Sequence, residues 1–101
     1  MPQNPQLEQI QREVNLRFAP SNSLTRTIAR KLARTLYEVQ RNESLLSFAQ
    51  SLSKTDLGRL TRDEQQRVRA KIREIRQRVA TLEQQSIEYA EALSANLEAA
   101  Q

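Results

Sequence analysis

The 101-residue sequence contains no cysteine, no histidine and no tryptophan. Without the first two, disulfide, thiolate and imidazole chemistry are excluded, and ordinary zinc sites with them. There is a single glycine, Gly58, and all three prolines lie at or before position 20. Residues 21–101 are thus free of strong helix breakers except at Gly58, which predicts an all-α protein. Aromatic residues number four and the apolar fraction is 38%. The core must then be thin and rich in Leu, Ile, Val and Ala, which in a short chain favours oligomerisation or docking into a larger complex.

Other absences narrow the function. No apolar run approaches the ~18–20 residues that a bilayer span needs. Residues 1–6 (MPQNPQ) lack the basic-then-apolar layout of a signal peptide. The expectation is a cytoplasmic protein with no membrane partner. No Gly-rich phosphate loop or nucleophile motif occurs. Asp63 and Glu64 read as a helix first turn, where anions suit the macrodipole, not as a catalytic pair. No enzymatic activity, cofactor or metal is expected.

What the chain has is periodicity. Val68, Ile72, Ile75, Val79, Leu82, Ser86, Tyr89 and Leu93 recur at alternating steps of four and three, a heptad seam on one long helix over 61–100. Thr61 and Glu64 fit a capping box at its start. At ~1.5 Å per residue the helix would run to nearly 60 Å. It must lie in an elongated hairpin, break near Gln84-Gln85-Ser86, or find a partner outside the chain. The polar Ser86 and Tyr89 predict that the helix leaves the core towards its end, with Ile87, Ala90 and Leu93 turning to another face.

Upstream, residues 1–5 read as a flexible arm, and 6–101 as one helical domain. Leu7, Ile10, Val14 and Phe18 mark a short helix over 6–19. Pro20-Ser21-Asn22-Ser23 is a turn cluster in which Ser23 can cap the next helix. Leu24, Ile28, Leu32, Leu36 and Val39 form one stripe, with Ala29 and Ala33 on its shoulder. This second helix spans 23–53. It either continues through Leu45, Leu46, Phe48, Ala49 and Leu52 or restarts at Asn42. The turn over 54–60 then joins two arms of similar length. The predicted architecture is an antiparallel hairpin of two long helices with a short N-terminal helix packed across it, an elongated three- to four-helix bundle.

Charge is uneven. The net charge is +4, and 13 of the 16 basic residues are Arg. Residues 21–41 carry an excess of four positive charges, residues 62–80 another four, and residues 81–101 hold four Glu and no base. At ~100° per residue, Arg26, Arg30, Arg34, Tyr37 and Arg41 share the sector opposite the Leu stripe. Such a row suits phosphates and a stacked base. A solvated helix face, with Tyr37 at the bundle edge, explains the same pattern. Arg69, Arg73 and Arg76, extended by Arg62, form a second row beside the seam. With Val68 and Ile75 at d and Ile72 at a, Arg69 and Arg76 fall at e while Lys71 and Arg78 fall at g. Like charge on both flanks disfavours a parallel homodimer and permits antiparallel pairing.

Two readings follow. In the first, both Arg rows contact a nucleic-acid backbone without sequence readout, as in a small accessory subunit of a larger nucleoprotein complex. In the second, the chain is a coiled-coil adaptor. Its seam (Val68, Ile72, Ile75, Val79, Leu82) drives self-association or docks an acidic protein partner, without nucleic acid. The concentration of Arg on two separate non-core faces favours the first.

Overall fold

Each helix starts where a side chain can satisfy its first free amides. The computed structural model describes residues 4–52 and 54–99. Helix α1, Pro5–Phe18, is capped by Asn4, whose side chain accepts from the Leu7 amide at 3.2 Å. Pro5 occupies the first turn, where no amide is needed. Residues 4 and 5 therefore belong to the helix start and not to an arm, while residues 1–3 of the expected arm lie outside the described residues. The helix ends at Ala19, which adopts the left-handed conformation at φ 44°. The following Pro20 disfavours helical geometry there.

Helix α2, Ser23–Gln50, is capped by Asn22 and not by Ser23. The Asn22 Oδ1 accepts from the Thr25 amide at 2.9 Å, and the Thr25 Oγ1 accepts from the Asn22 amide at 3.1 Å. Ser23 would cap with one oxygen; Asn22 and Thr25 close a reciprocal pair. Because Thr25 is buried, the box also seats the helix. Replacing Asn22 with Ala is expected to cost about 1 kcal/mol. Thermal unfolding followed by circular dichroism should show a midpoint lower by roughly 4–8 °C.

The helix does not restart at Asn42. The Asn42 side chain donates to the Glu38 carbonyl at 2.7 Å, so a buried amide that could have capped a new helix instead bonds back along the old one. Thr35, also buried, does the same to the Lys31 carbonyl at 2.8 Å.

A short helix α3, Lys54–Gly58, fills part of the predicted turn. The Gln65 side chain donates to the Leu57 and Leu60 carbonyls, tying the turn to the final helix. Helix α4, Arg62–Ala99, runs 38 residues without a break at Gln84-Gln85-Ser86. Its capping box forms as predicted. The Thr61 amide donates to the Glu64 carboxylate at 3.0 Å, and the Glu64 amide to the Thr61 hydroxyl at 3.2 Å. The Thr61 amide, then its hydroxyl, hold the Glu64 carboxyl below its usual pKa.

Helices α2 and α4 pack along their lengths, and α1 lies mainly on α2 with slight contact to α4. The molecule measures 59 × 28 × 19 Å with a radius of gyration of 18.1 Å. A compact domain of this length would be nearer ~13 Å. Pairing is antiparallel: Ala49 shares a hollow with Val68 and Ile72, whereas Leu32 and Leu36 share a cleft with Ser86 and Ala90. Helix α1 runs back along α2, its Gln6 amide donating to Gln40 at 2.7 Å. It therefore covers only the end of the hairpin opposite the turn.

That end holds the core: Ile10 and Val14 of α1, Ala29, Leu32 and Ala33 of α2, and Leu93 of α4. Two expectations are corrected here. Leu24 is 62% exposed, while Ala33 is fully buried and Ala29 almost so. Helix α2 is gripped from two sides, so its buried sector centres on the small residues that let neighbours approach closely. Nor does α4 leave the core: Leu93 is 2% exposed and Tyr89 and Ala90 pack beside it, whereas Ile87 is half exposed. The seam residues Val68, Ile72, Ile75, Val79 and Leu82 are half-buried, covered mainly by α2, with Leu57 of α3 beside Val68 and Ile72.

Candidate nucleic-acid interface

Arg26, Arg30, Arg34 and Arg41 all project from α2 into solvent, as do Arg69, Arg73 and Arg76 from α4. Among the described residues, none of these seven guanidinium groups forms an ion pair. Arg30 donates weakly to the Arg26 carbonyl at 3.5 Å. Tyr37 differs from its row: it is half-buried against the core cluster. Its ring is committed to packing against that cluster.

The antiparallel pairing does not bring the two Arg rows face to face. Levels set by Ala49 beside Val68 and Leu36 beside Ser86 place Arg69–Arg76 alongside residues 45–52 of α2. The α4 row thus begins where the α2 row ends. Together they cover roughly 39 Å of the rod at ~1.5 Å per residue.

Their directions also differ. Eighteen residues make five turns at ~3.6 per turn, so Arg69, Arg73 and Arg76 point as Ile87, Glu91 and Ser94 do. Those three residues line the cleft beside α1. The α4 row is therefore on the face that α1 occupies further along, left open where α1 stops. The α2 row points away from α4.

Topology redistributes the charge. The basic stretch of α2 lies beside the acidic half of α4, where Glu83, Glu88 and Glu91 stand, so the open end of the hairpin is close to neutral. The basic half of α4 lies beside the neutral stretch over 42–61. Nearly all of the net positive charge is consequently concentrated in the half of the rod nearest the turn, where it sets the long-range field.

One residue there was not predicted as functional. The stripe expected to continue through Leu45 and Phe48 into the core does so only at Leu46, Ala49 and Leu52, which are half-buried. Leu45 and Phe48 are 50% and 69% exposed. The signal was present in the spacing, because Arg26, Arg30, Arg34, Tyr37, Arg41, Leu45 and Phe48 follow steps of four, four and three. Phe48 is thus on the Arg face, five turns beyond Arg30.

The open end carries a different feature. A cleft of about 650 Å³ lies between α1 and the second half of α4, floored by Leu32 and Leu36 and edged by Glu13, Arg17 and Glu91. Among the described residues, no group of acidic side chains is placed to hold a metal ion. No helix among them is long and apolar enough to cross a membrane. Comparison with protein-family models, with curated proteins and with solved structures gave no match to the chain.

Proposed function

We propose that this protein is a non-catalytic nucleic-acid-binding subunit that tracks the phosphate backbone. The observation that carries the reading is the set of seven exposed Arg side chains, free of ion pairs among the described residues. They follow one another along the rod in two rows, with the net charge gathered at the turn half. Guanidinium groups present planar forks suited to phosphate oxygens. Phosphate contacts carry no base identity, so binding of this kind is sequence-independent.

Fluorescence anisotropy with labelled single- and double-stranded oligonucleotides tests this. Binding should persist at physiological salt and weaken linearly in log K against log salt, as counterions are released. A protein that binds neither form even at low salt is not what we propose.

The second reading, self-association, has its own support in the cleft and in the complementary halves of α4, one basic and one acidic. Two copies side by side in antiparallel sense would bring unlike halves together. The seam over 68–82 faces α2, so Ile72→Asp would damage the hairpin itself. Sedimentation of the intact chain is the cleaner measurement for that reading.

A further inference from the structure

We infer that Phe48 is a stacking platform for an unpaired base, and that the nucleic acid this protein takes is therefore single-stranded. The inference rests on the nucleic-acid reading above and adds a ligand class and a contact residue to it.

The chain has four aromatic residues. Three of them, Phe18, Tyr37 and Tyr89, pack against the core cluster. Phe48 alone among the described residues stands clear of it, at 69% exposure. A lone exposed Phe needs no special explanation; its surroundings supply one. It continues the Arg row of α2, one heptad or ~10.5 Å beyond Arg41 along the axis. It also lies in the half of the rod that holds the excess positive charge, level with Arg73 on α4. The α2 surface between Phe48 and α4 presents Ser44, Ser47 and Ser51, all exposed. A strand that follows the α2 row meets Arg34 and Arg41 and then one free aromatic face, while the α4 row lies on a different face of the rod.

Stacking on an aromatic side chain demands a base whose own face is free. In a duplex the faces are already covered by neighbouring pairs, and a side chain on the outside of a straight helix reaches only the backbone. A basic groove combined with exposed aromatics is the chemistry by which proteins hold single strands, tolerant of sequence because every base has a π face. A second copy of this chain is the competing occupant for Leu45 and Phe48, but a Phe set in a row of like charges is a poor centre for a symmetric contact. Two such rows would repel.

The test uses the full chain and two substitutions at this exposed position, where no core contact is lost. For Phe48→Ala, affinity for a thymidine oligomer should fall roughly tenfold or more, while affinity for a mixed-sequence duplex stays within about twofold. Phe48→Trp introduces the sole tryptophan. Its emission should be quenched by the oligomer and saturate at the concentration where anisotropy saturates. If wild type binds oligonucleotides with the expected salt dependence, but Phe48→Ala binds the single strand equally well and Phe48→Trp is not quenched, this inference is wrong and the backbone reading stands. If wild type binds no nucleic acid, both are wrong. A wild-type dimer that Phe48→Ala converts to a monomer without loss of strand affinity would assign the residue to self-association and overturn the inference.

Discussion

Reversing Arg69 and Arg73 to Glu is expected to reduce oligonucleotide affinity on the order of 100-fold, whereas reversing Arg30 and Arg34 costs about tenfold. Each double variant brings the net charge from +4 to zero, so a difference between them cannot come from total charge. It comes from place. Arg69 and Arg73 stand in the half of the rod where positive charge is unopposed. Arg30 and Arg34 stand beside a stretch of α4 that carries Glu83, Glu88 and Glu91. For a single strand, loss of two phosphate contacts should also make the slope of log K against log salt shallower by about 1.4. All four side chains are exposed, so far-UV circular dichroism should remain at the wild-type level. Anisotropy titrations at three salt concentrations would give both quantities. Equal losses in the two variants would show that the binder senses net charge and not the arrangement along the rod.

The other large effect concerns stability. Leu93→Ala is expected to cost about 2–4 kcal/mol, because Leu93 is the buried residue through which α4 joins the core, and the cavity left between three helices closes poorly. The unfolding midpoint should fall by more than about 10 °C. Ile72→Ala, by contrast, removes a half-buried side chain at the thinner, turn end of the hairpin, and should cost about 1 kcal/mol. Calorimetry of the two variants ranks them directly. If Ile72 proved the more costly, the weight of the core would lie at the turn and not at the open end.

The contrast between these residues shows what the sequence carried and what it did not. The seam was legible from Val68 to Leu82, whose apolar positions are all half-buried. Its continuation into the core was not, because Ser86 and Tyr89 are polar and their enclosure depends on packing at the open end. The box at Thr61 and Glu64 was legible because its two partners are three residues apart and depend on nothing distant. Helix α2 was harder. A periodic stripe of large apolar residues predicts one contact face, and α2 has two. With α1 on one side and α4 on the other, the most enclosed positions fell to Ala29 and Ala33, whose small side chains carry little hydrophobic signal. Leu24, at the first turn, is largely exposed. Ser23 has the residue type of a cap, but the cap falls to Asn22, whose reciprocal pair with Thr25 is favoured by a burial that only tertiary packing supplies.

The candidate site follows the same rule. Exposure of the seven Arg could be read from periodicity, as each lies off the apolar stripes. Their succession along the rod, and the pooling of charge near the turn, needed the pairing register. The freedom of Phe48 needed the placement of the short α1 at the end of the hairpin opposite the turn. The N-terminal turn of α1 lies beside Gln40, so none of its described residues covers α2 further along.

The placement of the core has a kinetic side. Near the turn, partners are close in sequence: Gln65 reaches back eight residues to Leu57. At the open end Leu93 joins Ala29 across 64 residues of chain. Three doublings of loop length raise the entropic cost of closure by roughly 1.8 kcal/mol. A hairpin of this kind is expected to zip from the turn, and the residues that hold it most firmly are then the last to meet. Contacts made after the barrier slow unfolding without speeding folding. Leu93→Ala should therefore act on the unfolding rate, seen as a raised unfolding arm in stopped-flow denaturant jumps with the folding arm little changed. The lifetime of the folded rod would be governed by the end that lies furthest from its excess positive charge.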